Sequence, residues 1–283
     1  MAKFRLLHQL LLEQGIVQAD EVHRPLSIAR KDLESVHPRS YHEAFSRDHL
    51  TRPEQRRIGL PATRPLVQRT WLAVGGTLLT ARLALKRGLA SHLAGGTHHA
   101  HSDFGSGFCI FNDCAVAARV LLGTGEVRRI LIVDLDVHQG DGSAACFQHD
   151  PRVTTLSVHA ASNFPLRKVD GDIDIPLADG TSDDDYLAAI ADRLPDALDT
   201  IAPDLVLYNA GVDPHRDDRL GRLALSDAGL NMRDRLVLDA CLRRRIPTAT
   251  VIGGGYDALA PLVQRHAIVV RAAAEQARLF NLP

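Results

Sequence analysis

Short strand-like runs alternate with helical stretches along most of this 283-residue chain. The run RRILIVDLDV is nearly continuously apolar and β-branched, which is typical of a parallel strand covered on both faces. The predicted strands lie in LASHLAG, RRILIVDLDV, VTTLSVH, DLVLYNAG and TATVIGGGY. Because helical periodicity separates these runs, we expect an α/β fold with an open, mostly parallel β-sheet flanked by helices.

Helical periodicity predicts six helices. They lie in MAKFRLLHQLLLEQG, in TWLAVGGTLLTARLALKRG and in residues 112–122, 184–198, 226–243 and 259–279. The polar stretch at residues 36–69 includes Pro53, Pro61 and Pro65 among its prolines, and it carries many arginines. Proline interrupts helices and strands, so this stretch predicts a loop whose basic residues form a solvated face.

Composition restricts the class of protein. A 283-residue chain that is 45% hydrophobic can bury a substantial core, and we expect residues 1–283 to form a single domain. Lys+Arg 33 nearly balances Asp+Glu 34, which predicts no nucleic-acid partner. The sequence has no apolar stretch of membrane-spanning length and no signal peptide, so we expect a cytoplasmic protein with no membrane partner. The oligomeric state is left open.

The four cysteines show neither the C-x-x-C pairs nor the short spacings of a structural zinc site. They are Cys109, Cys114, Cys146 and Cys241. We expect reduced, mostly buried thiols, as is usual for a cytoplasmic protein.

Acidic residues and a histidine follow the most apolar predicted strand. In DLDVHQGDG, Asp134, Asp136 and His138 are spaced by two residues, so the strand pleat turns their side chains to one side. Asp213 follows DLVLYNAG at the corresponding position. A single aspartate there is more often a helix cap, but capping does not require Asp-x-Asp-x-His. Asp136, His138 and Asp213 suit a catalytic Zn²⁺, and Fe²⁺, Co²⁺ or Mn²⁺ would fit less selectively.

Two further segments end predicted strands. The tandem His98-His99 offers imidazoles with the pKa of a general base, although a histidine pair can also be an exposed loop. Asp134 and Asp141 are the spare acids that could orient them. In GGGYD, Tyr256 could donate its hydroxyl to a developing oxyanion, although a tyrosine after a glycine turn often only packs. No role is assigned to His92, His101, His149, His159 or His215.

Four segments, GGTHHAHSDFGSGFCIFND, DLDVHQGDG, AGVDPHRDD and GGGYD, resemble the histone deacetylase superfamily in order and approximate spacing. The resemblance runs from about residue 1 to residue 280, and the histidine-glutamine of DLDVHQGDG is most similar to the class IV branch and its bacterial relatives. It implies an arginase/deacetylase-like fold and zinc-dependent hydrolysis of an acyl-amine amide bond, foremost the deacetylation or deacylation of an N-acyl-lysine side chain.

The resemblance also implies roles for individual residues. Zinc would be bound by Asp136, His138 and Asp213. His99 would be the general base and acid, and His98 would assist it electrostatically. The remaining assignments are Asp134 and Asp141 to orient His98 and His99, Tyr256 to polarise the scissile carbonyl, and Gly107, Phe108 and Phe164 to line the substrate tunnel. Family members also bind a monovalent cation such as K⁺, here through Asp134, the backbone of Asp136 and His138, and Ser157.

One departure from the family concerns the N-terminus. The family usually begins with a strand and a long loop before the helix that MAKFRLLHQLLLEQG resembles, so this chain can lack the first strand of the sheet and a loop of the pocket rim.

Three alternatives to lysine deacylation remain: an acylpolyamine or small-metabolite amidohydrolase, a two-metal ureohydrolase, and a non-catalytic acyl-lysine-binding module. The ureohydrolase would need more bridging aspartates than the sequence offers. A module that only binds an acyl-lysine would not need both a general base and an oxyanion donor.

Overall fold

The computed structural model describes residues 2–283, and over this range the chain forms one sheet of six parallel strands. The strands are β1 (Leu89–His92), β2 (Ile130–Asp134), β3 (Val153–Ala160), β4 (Ile173–Leu177), β5 (Leu205–Asn209) and β6 (Thr248–Val251). Their order in the sheet is β1-β6-β5-β2-β3-β4, and every pairing is parallel. The predicted open, parallel α/β architecture with flanking helices is confirmed.

Ten α-helices flank this sheet within the described residues. They are α1 (Ala2–Glu13), α2 (Arg30–Leu33), α3 (Arg39–Ser46), α4 (Arg52–Ile58), α5 (Arg64–Arg87), α6 (Asp113–Gly123), α7 (Asp141–Phe147), α8 (Asp183–Ile201), α9 (Asp227–Arg243) and α10 (Leu259–Leu279). The six predicted helices are confirmed as α1, α5, α6, α8, α9 and α10; Met1, at the start of the first, lies outside the described residues. No helix in residues 2–283 is long and apolar enough to cross a bilayer.

The prediction of a loop over residues 36–69 is wrong, because this stretch contains α3, α4 and the start of α5. Pro53 and Pro65 lie in the first turns of α4 and α5, where a missing backbone N–H costs no hydrogen bond. Thr51 and Glu54 form a reciprocal capping box at the start of α4. Pro53 and Pro65 therefore mark helix starts, whereas Pro61 lies between α4 and α5, and the arginines that we assigned to a loop are carried largely on helices.

Strand β4 and the helices α2 and α7 were also missed. Strand β4 lies at the edge of the sheet beside β3 and includes Pro176. Edge strands tolerate proline, but a proline in the sequence argues against predicting a strand. Helices α2 and α7 have 4 and 7 residues, too few for a periodic pattern.

The core lies on both faces of the sheet. Leu131 and Val133 of β2 pack on one face with α1, α8, α9 and α10, and Ile130 and Ile132 pack on the other with α5 and α6. Burying each such side chain stabilises the fold by about 1.5–3 kcal/mol. All four cysteines are free thiols; Cys109, Cys114 and Cys241 are buried, and Cys146 is partly buried. With both faces covered, the polar residues that follow the strands are directed to the carboxyl edge of the sheet.

Candidate active site

The candidate metal residues meet where β2 and β5 end. One ligand atom each from Asp136, His138 and Asp213 lies within 4.8 Å of the other two, and all three residues are buried. The Nδ1 atom of His138 lies 2.9 Å from Asp136 Oδ1 and 3.2 Å from Asp213 Oδ2. The backbone N–H of Gly254 donates to Asp136 Oδ2 over 2.8 Å, and that of Val137 donates to Asp213 Oδ1 over 2.9 Å.

This cluster fits a divalent cation. Asp213 Oδ2 is buried and accepts no hydrogen bond, although His138 Nδ1 lies 3.2 Å away. Burial, together with the charge of Asp136, raises the pKa of Asp213 to about 7. A Cβ atom on Gly254 would lie 2.1 Å from this oxygen and 2.6 Å from Asp136 Oδ2, so only glycine leaves the carboxylates accessible. Two carboxylates and one imidazole suit Zn²⁺ with a coordination position left open.

Two buried histidine-aspartate pairs lie beside the cluster. His98 Nδ1 is 2.7 Å from Asp134 Oδ2, and His99 Nδ1 is 2.6 Å from Asp141 Oδ1. The two imidazole rings are 4.0 Å apart, and the His99 ring is 5.6 Å from that of His138. With Nδ1–H donating to a carboxylate, each histidine keeps Nε2 free for another partner.

The two histidines differ in charge. Burial and the neighbouring charge of His98 lower the pKa of His99 to about 4. Burial also lowers the pKa of His98. The negative charges of Asp134 and Asp136 outweigh the effect of burial, however, and raise the pKa of His98 to about 9. Before any cation binds, His99 is therefore a neutral proton acceptor next to a charged imidazole.

The predicted tunnel residues lie beside His99 and Tyr256. The Phe164 ring packs edge-on against the His99 ring at 4.8 Å, and the Phe108 ring lies 5.8 Å from that of Tyr256. Gly107 has a φ of 52°, and an added Cβ would lie 2.7 Å from the His99 ring, so a side chain here would collide with that ring. Phe108 and Phe164 are 45% and 39% exposed, so two apolar rings beside His99 and Tyr256 face solvent.

Tyr256 lies close to the candidate metal residues. Its ring is 6.2 Å from that of His138, and its backbone N–H donates to Asp218. Burial, and then the negative charges of Asp136 and Asp213, raise the pKa of Tyr256 well above its usual value. The hydroxyl therefore keeps its proton and remains a hydrogen-bond donor.

The monovalent-cation site stays a prediction. Ser157 on β3 is the register partner of Asp134 on β2, so these two residues are adjacent across the strands. Ser157 Oγ is 3.0 Å from His159 Nδ1.

Sequence reasoning missed three residues that hold the predicted ones in place. Asn209 donates to Asp134 Oδ1 over 2.8 Å, and His101 Nε2 lies 3.1 Å from Asp141 Oδ2. Asp113 accepts the backbone N–H of Thr97, in the turn before His98. Asp113 follows the N-cap of α6, a helix-start signal that gives no sign of its contact with the histidine loop.

Comparison with known proteins gives the family. A model of the histone deacetylase domain matches residues 1–272. The chain belongs to the histone deacetylase family. The resemblance drawn from the four sequence segments is thereby confirmed, and family membership supports deacetylase-type hydrolysis as the general reaction and a divalent metal as the usual cofactor.

The chain is similar to an uncharacterized protein, to a named histone deacetylase and to a solved HDAC homologue. An uncharacterized protein of Picosynechococcus sp. is 54% identical over 274 residues, which cover 96% of this chain and 91% of the relative. Histone deacetylase 2 of Arabidopsis thaliana is 32% identical over 260 residues, covering 88% of this chain and 66% of the plant protein. The crystal structure of an HDAC homologue from Aquifex aeolicus has a TM-score of 0.83 and 25% identity, covering 95% of this chain and 77% of the other.

Proposed function

We propose that this chain is a zinc-dependent amidohydrolase that removes the acyl group from an N-acyl-lysine side chain, with residues 1–283 as one catalytic domain. The observation that carries the proposal is the convergence of three groups at one buried point: the Asp136, His138 and Asp213 cluster, the paired histidines and Tyr256. The partly exposed rings of Phe108 and Phe164 lie beside this point.

Asp136, His138 and Asp213 would hold the metal, and the unsatisfied Asp213 oxygen supports this assignment. A bound Zn²⁺ would polarise the amide carbonyl and make a water molecule more acidic. The neighbouring set of Asp134, Ser157 and the backbone of Asp136 and His138 would bind K⁺.

His99 would act first as a general base and then as a general acid. Its neutral imidazole, oriented by Asp141, would take a proton from the attacking water and return it to the departing amine nitrogen. The positive charge of His98, held by Asp134, would favour negative charge developing on the substrate. The Tyr256 hydroxyl would donate to the carbonyl oxygen as it becomes an oxyanion.

The two partly exposed phenylalanines support an acyl group on a slender aliphatic amine as the substrate. Phe108 and Phe164 are apolar walls that suit the methylene chain of an acyl-lysine, and a linear acylpolyamine presents a similar chain. A substrate panel therefore has to include both classes.

The experiment measures metal content and acyl release together. The chain, reconstituted separately with Zn²⁺, Fe²⁺, Co²⁺ and Mn²⁺, is assayed on acyl-lysine peptides, acylpolyamines and small acyl-amines that differ in acyl length. We expect about one zinc per chain, and we expect His99→Ala to lower kcat by about 10²–10⁴-fold with the zinc retained.

The matched control is His149→Ala, which changes an exposed histidine and should leave kcat unaltered. Release of acyl groups from polyamines alone would replace lysine by polyamine as the substrate. Tight binding of acyl-lysine peptides by the zinc-loaded chain, with no release from any substrate, would refute hydrolysis and favour a binding module.

A further inference from the structure

His101 lies behind one of the two histidine-aspartate pairs and has no part in the function proposed above. Asp141 is buried, and its two oxygens have different partners. Oδ1 is 2.6 Å from His99 Nδ1, and Oδ2 is 3.1 Å from His101 Nε2. The Asp141 carboxylate therefore joins two imidazoles, one facing the site and one whose side chain is 17% exposed.

The His101 ring is fixed in orientation by its own contacts. It stacks on the Phe104 ring with centroids 4.3 Å apart and an interplanar angle of 17°. The Arg57 guanidinium lies 4.5 Å from the centroid of the Phe104 ring, and the His101 backbone N–H donates to Phe104 O over 3.0 Å. The contacts with Phe104, whose ring Arg57 covers in turn, thus set the plane of the His101 imidazole and the direction of its Nε2 atom.

The other pair is built in the same way with a different third residue. Asp134 accepts from His98 on Oδ2 and from the Asn209 side-chain amide on Oδ1, over 2.7 and 2.8 Å. Each aspartate is therefore held at both oxygens. Asn209 is a buried amide, whereas His101 is an imidazole whose side chain is partly exposed.

We propose that His101 is a positioning residue for the hydrolysis proposed above, on which this inference rests. The terminal torsion of an aspartate side chain is broad, so one hydrogen bond leaves the carboxylate free to turn. The His101 N–H holds Oδ2 and keeps Oδ1 directed at His99 Nδ1. Hydrogen bonds from His101 and His99 outweigh the effect of burial and hold the pKa of Asp141 well below its usual range, so the carboxylate stays ionised.

The competing interpretation is that His101 only packs the loop. Partly exposed ion pairs often contribute little to stability, and the stack on Phe104 alone could account for the position of the ring. The two interpretations differ in whether the imidazole N–H is needed or only the flat ring.

Two substitutions separate the ring from the hydrogen bond. His101→Phe keeps the stack on Phe104 and removes the donor, whereas His101→Gln keeps an N–H donor and removes the ring. The control, His149→Phe, makes the same change at an exposed histidine. The measurements are kcat and KM with the best substrate of the panel, zinc content, the thermal unfolding midpoint, and the low-field proton NMR resonance of His99 Nδ1–H in the metal-free protein.

We expect His101→Phe to lower kcat by about 10-fold, the lower end for loss of a group that supports an active-site residue, with KM and zinc content unchanged. The His99 Nδ1–H resonance should shift or broaden in this variant. His101→Gln should recover most of the kcat and the resonance, although it lacks the ring.

Wild-type kcat and an unaltered His99 resonance in His101→Phe would overturn the proposal. So would equal losses of kcat and thermal stability in both variants, because that result assigns His101 to packing. If the wild-type chain itself hydrolyses no substrate, the proposed function fails, and the NMR comparison alone decides whether His101 positions the Asp141–His99 pair.

Discussion

Asp113 and Asp213 are both buried carboxylates near the carboxyl edge of the sheet, but their hydrogen bonding differs. Asp113 accepts from the Thr77 hydroxyl over 2.5 Å, from the backbone N–H groups of Gly96 and Thr97 over 3.1 and 2.7 Å, and from the Thr97 hydroxyl over 2.6 Å. Asp213 accepts one hydrogen bond on Oδ1, and its Oδ2 accepts none. Burial alone therefore does not distinguish an acid that holds the backbone from one that binds a ligand.

The number of donors does distinguish them. A buried carboxylate without donors loses its hydration and gains little in return, so a proton or a cation has to compensate its charge. Asp113 is satisfied by four donors and needs neither. Asp213 has Asp136 as a charged neighbour, and this combination is unfavourable unless a positive charge lies between the two carboxylates.

The largest expected effect is the loss of metal from Asp213→Asn. The amide can still accept from Val137 N–H through its oxygen, but it supplies no negative charge to a cation. We expect zinc affinity to fall by more than about 100-fold, the upper end for loss of a residue that only supports a metal ligand, and turnover to fall with it. Zinc content after dialysis and kcat are the measurements.

Asp184→Asn makes the same chemical change at an exposed position of α8 and should leave zinc content and kcat unaltered. Undiminished zinc in Asp213→Asn would remove Asp213 from the metal site and make its unsatisfied oxygen a feature of the fold alone.

A smaller effect is expected from Gly254→Ala, which tests the space in front of the Asp213 and Asp136 oxygens. The added Cβ would lie 2.1 Å from Asp213 Oδ2, so the loop after β6 or the carboxylate must move. We expect zinc affinity to fall by about 10–100-fold, as when the support of a metal ligand is disturbed. Gly123→Ala, at the end of α6, places its Cβ in open space and should bind zinc as the wild type does. If Gly254→Ala and Gly123→Ala bind zinc with equal affinity, the space in front of the Asp213 and Asp136 oxygens does not require glycine at position 254.

The contrast between Asp213 and Asp113 also shows how far the sequence could predict the site. Asp136, His138 and Asp213 could be found because a parallel sheet brings the carboxyl ends of its strands to one edge, and the strand pleat places alternate residues on one side. Asp113 could not be found in this way. Its acceptor role depends on the turn at Gly96 and Thr97, which comes close to α6 only in the folded chain.

The same limit applies to other residues of the site and to parts of the fold. Asn209 and His101 act through contacts that span 75 and 40 residues of the sequence. No local pattern predicts such pairs. Helices α3 and α4 were missed for a different reason, since proline was interpreted as a break although Pro53 belongs to a first helical turn. Five of the six strands were predicted, and the buried β-branched run of β2 gave the strongest local signal, whereas the edge strand β4 is only partly buried and contains proline.

The smallest expected effect, and the sharpest test of the contrast, is the loss of stability in Asp113→Asn. The amide cannot accept at both ends, so its NH₂ group faces donors such as the Thr77 hydroxyl or the Gly96 N–H, and one of these is left without an acceptor. A buried donor without a partner costs about 1–3 kcal/mol of unfolding free energy. Urea unfolding of the metal-free proteins measures it, and zinc content should remain at the wild-type value. Asp213→Asn, in contrast, should lose zinc with a smaller change in the stability of the metal-free protein, because its Oδ2 has no donor to leave unsatisfied. If Asp113→Asn loses zinc while keeping its stability, the assignment of the two carboxylates is reversed.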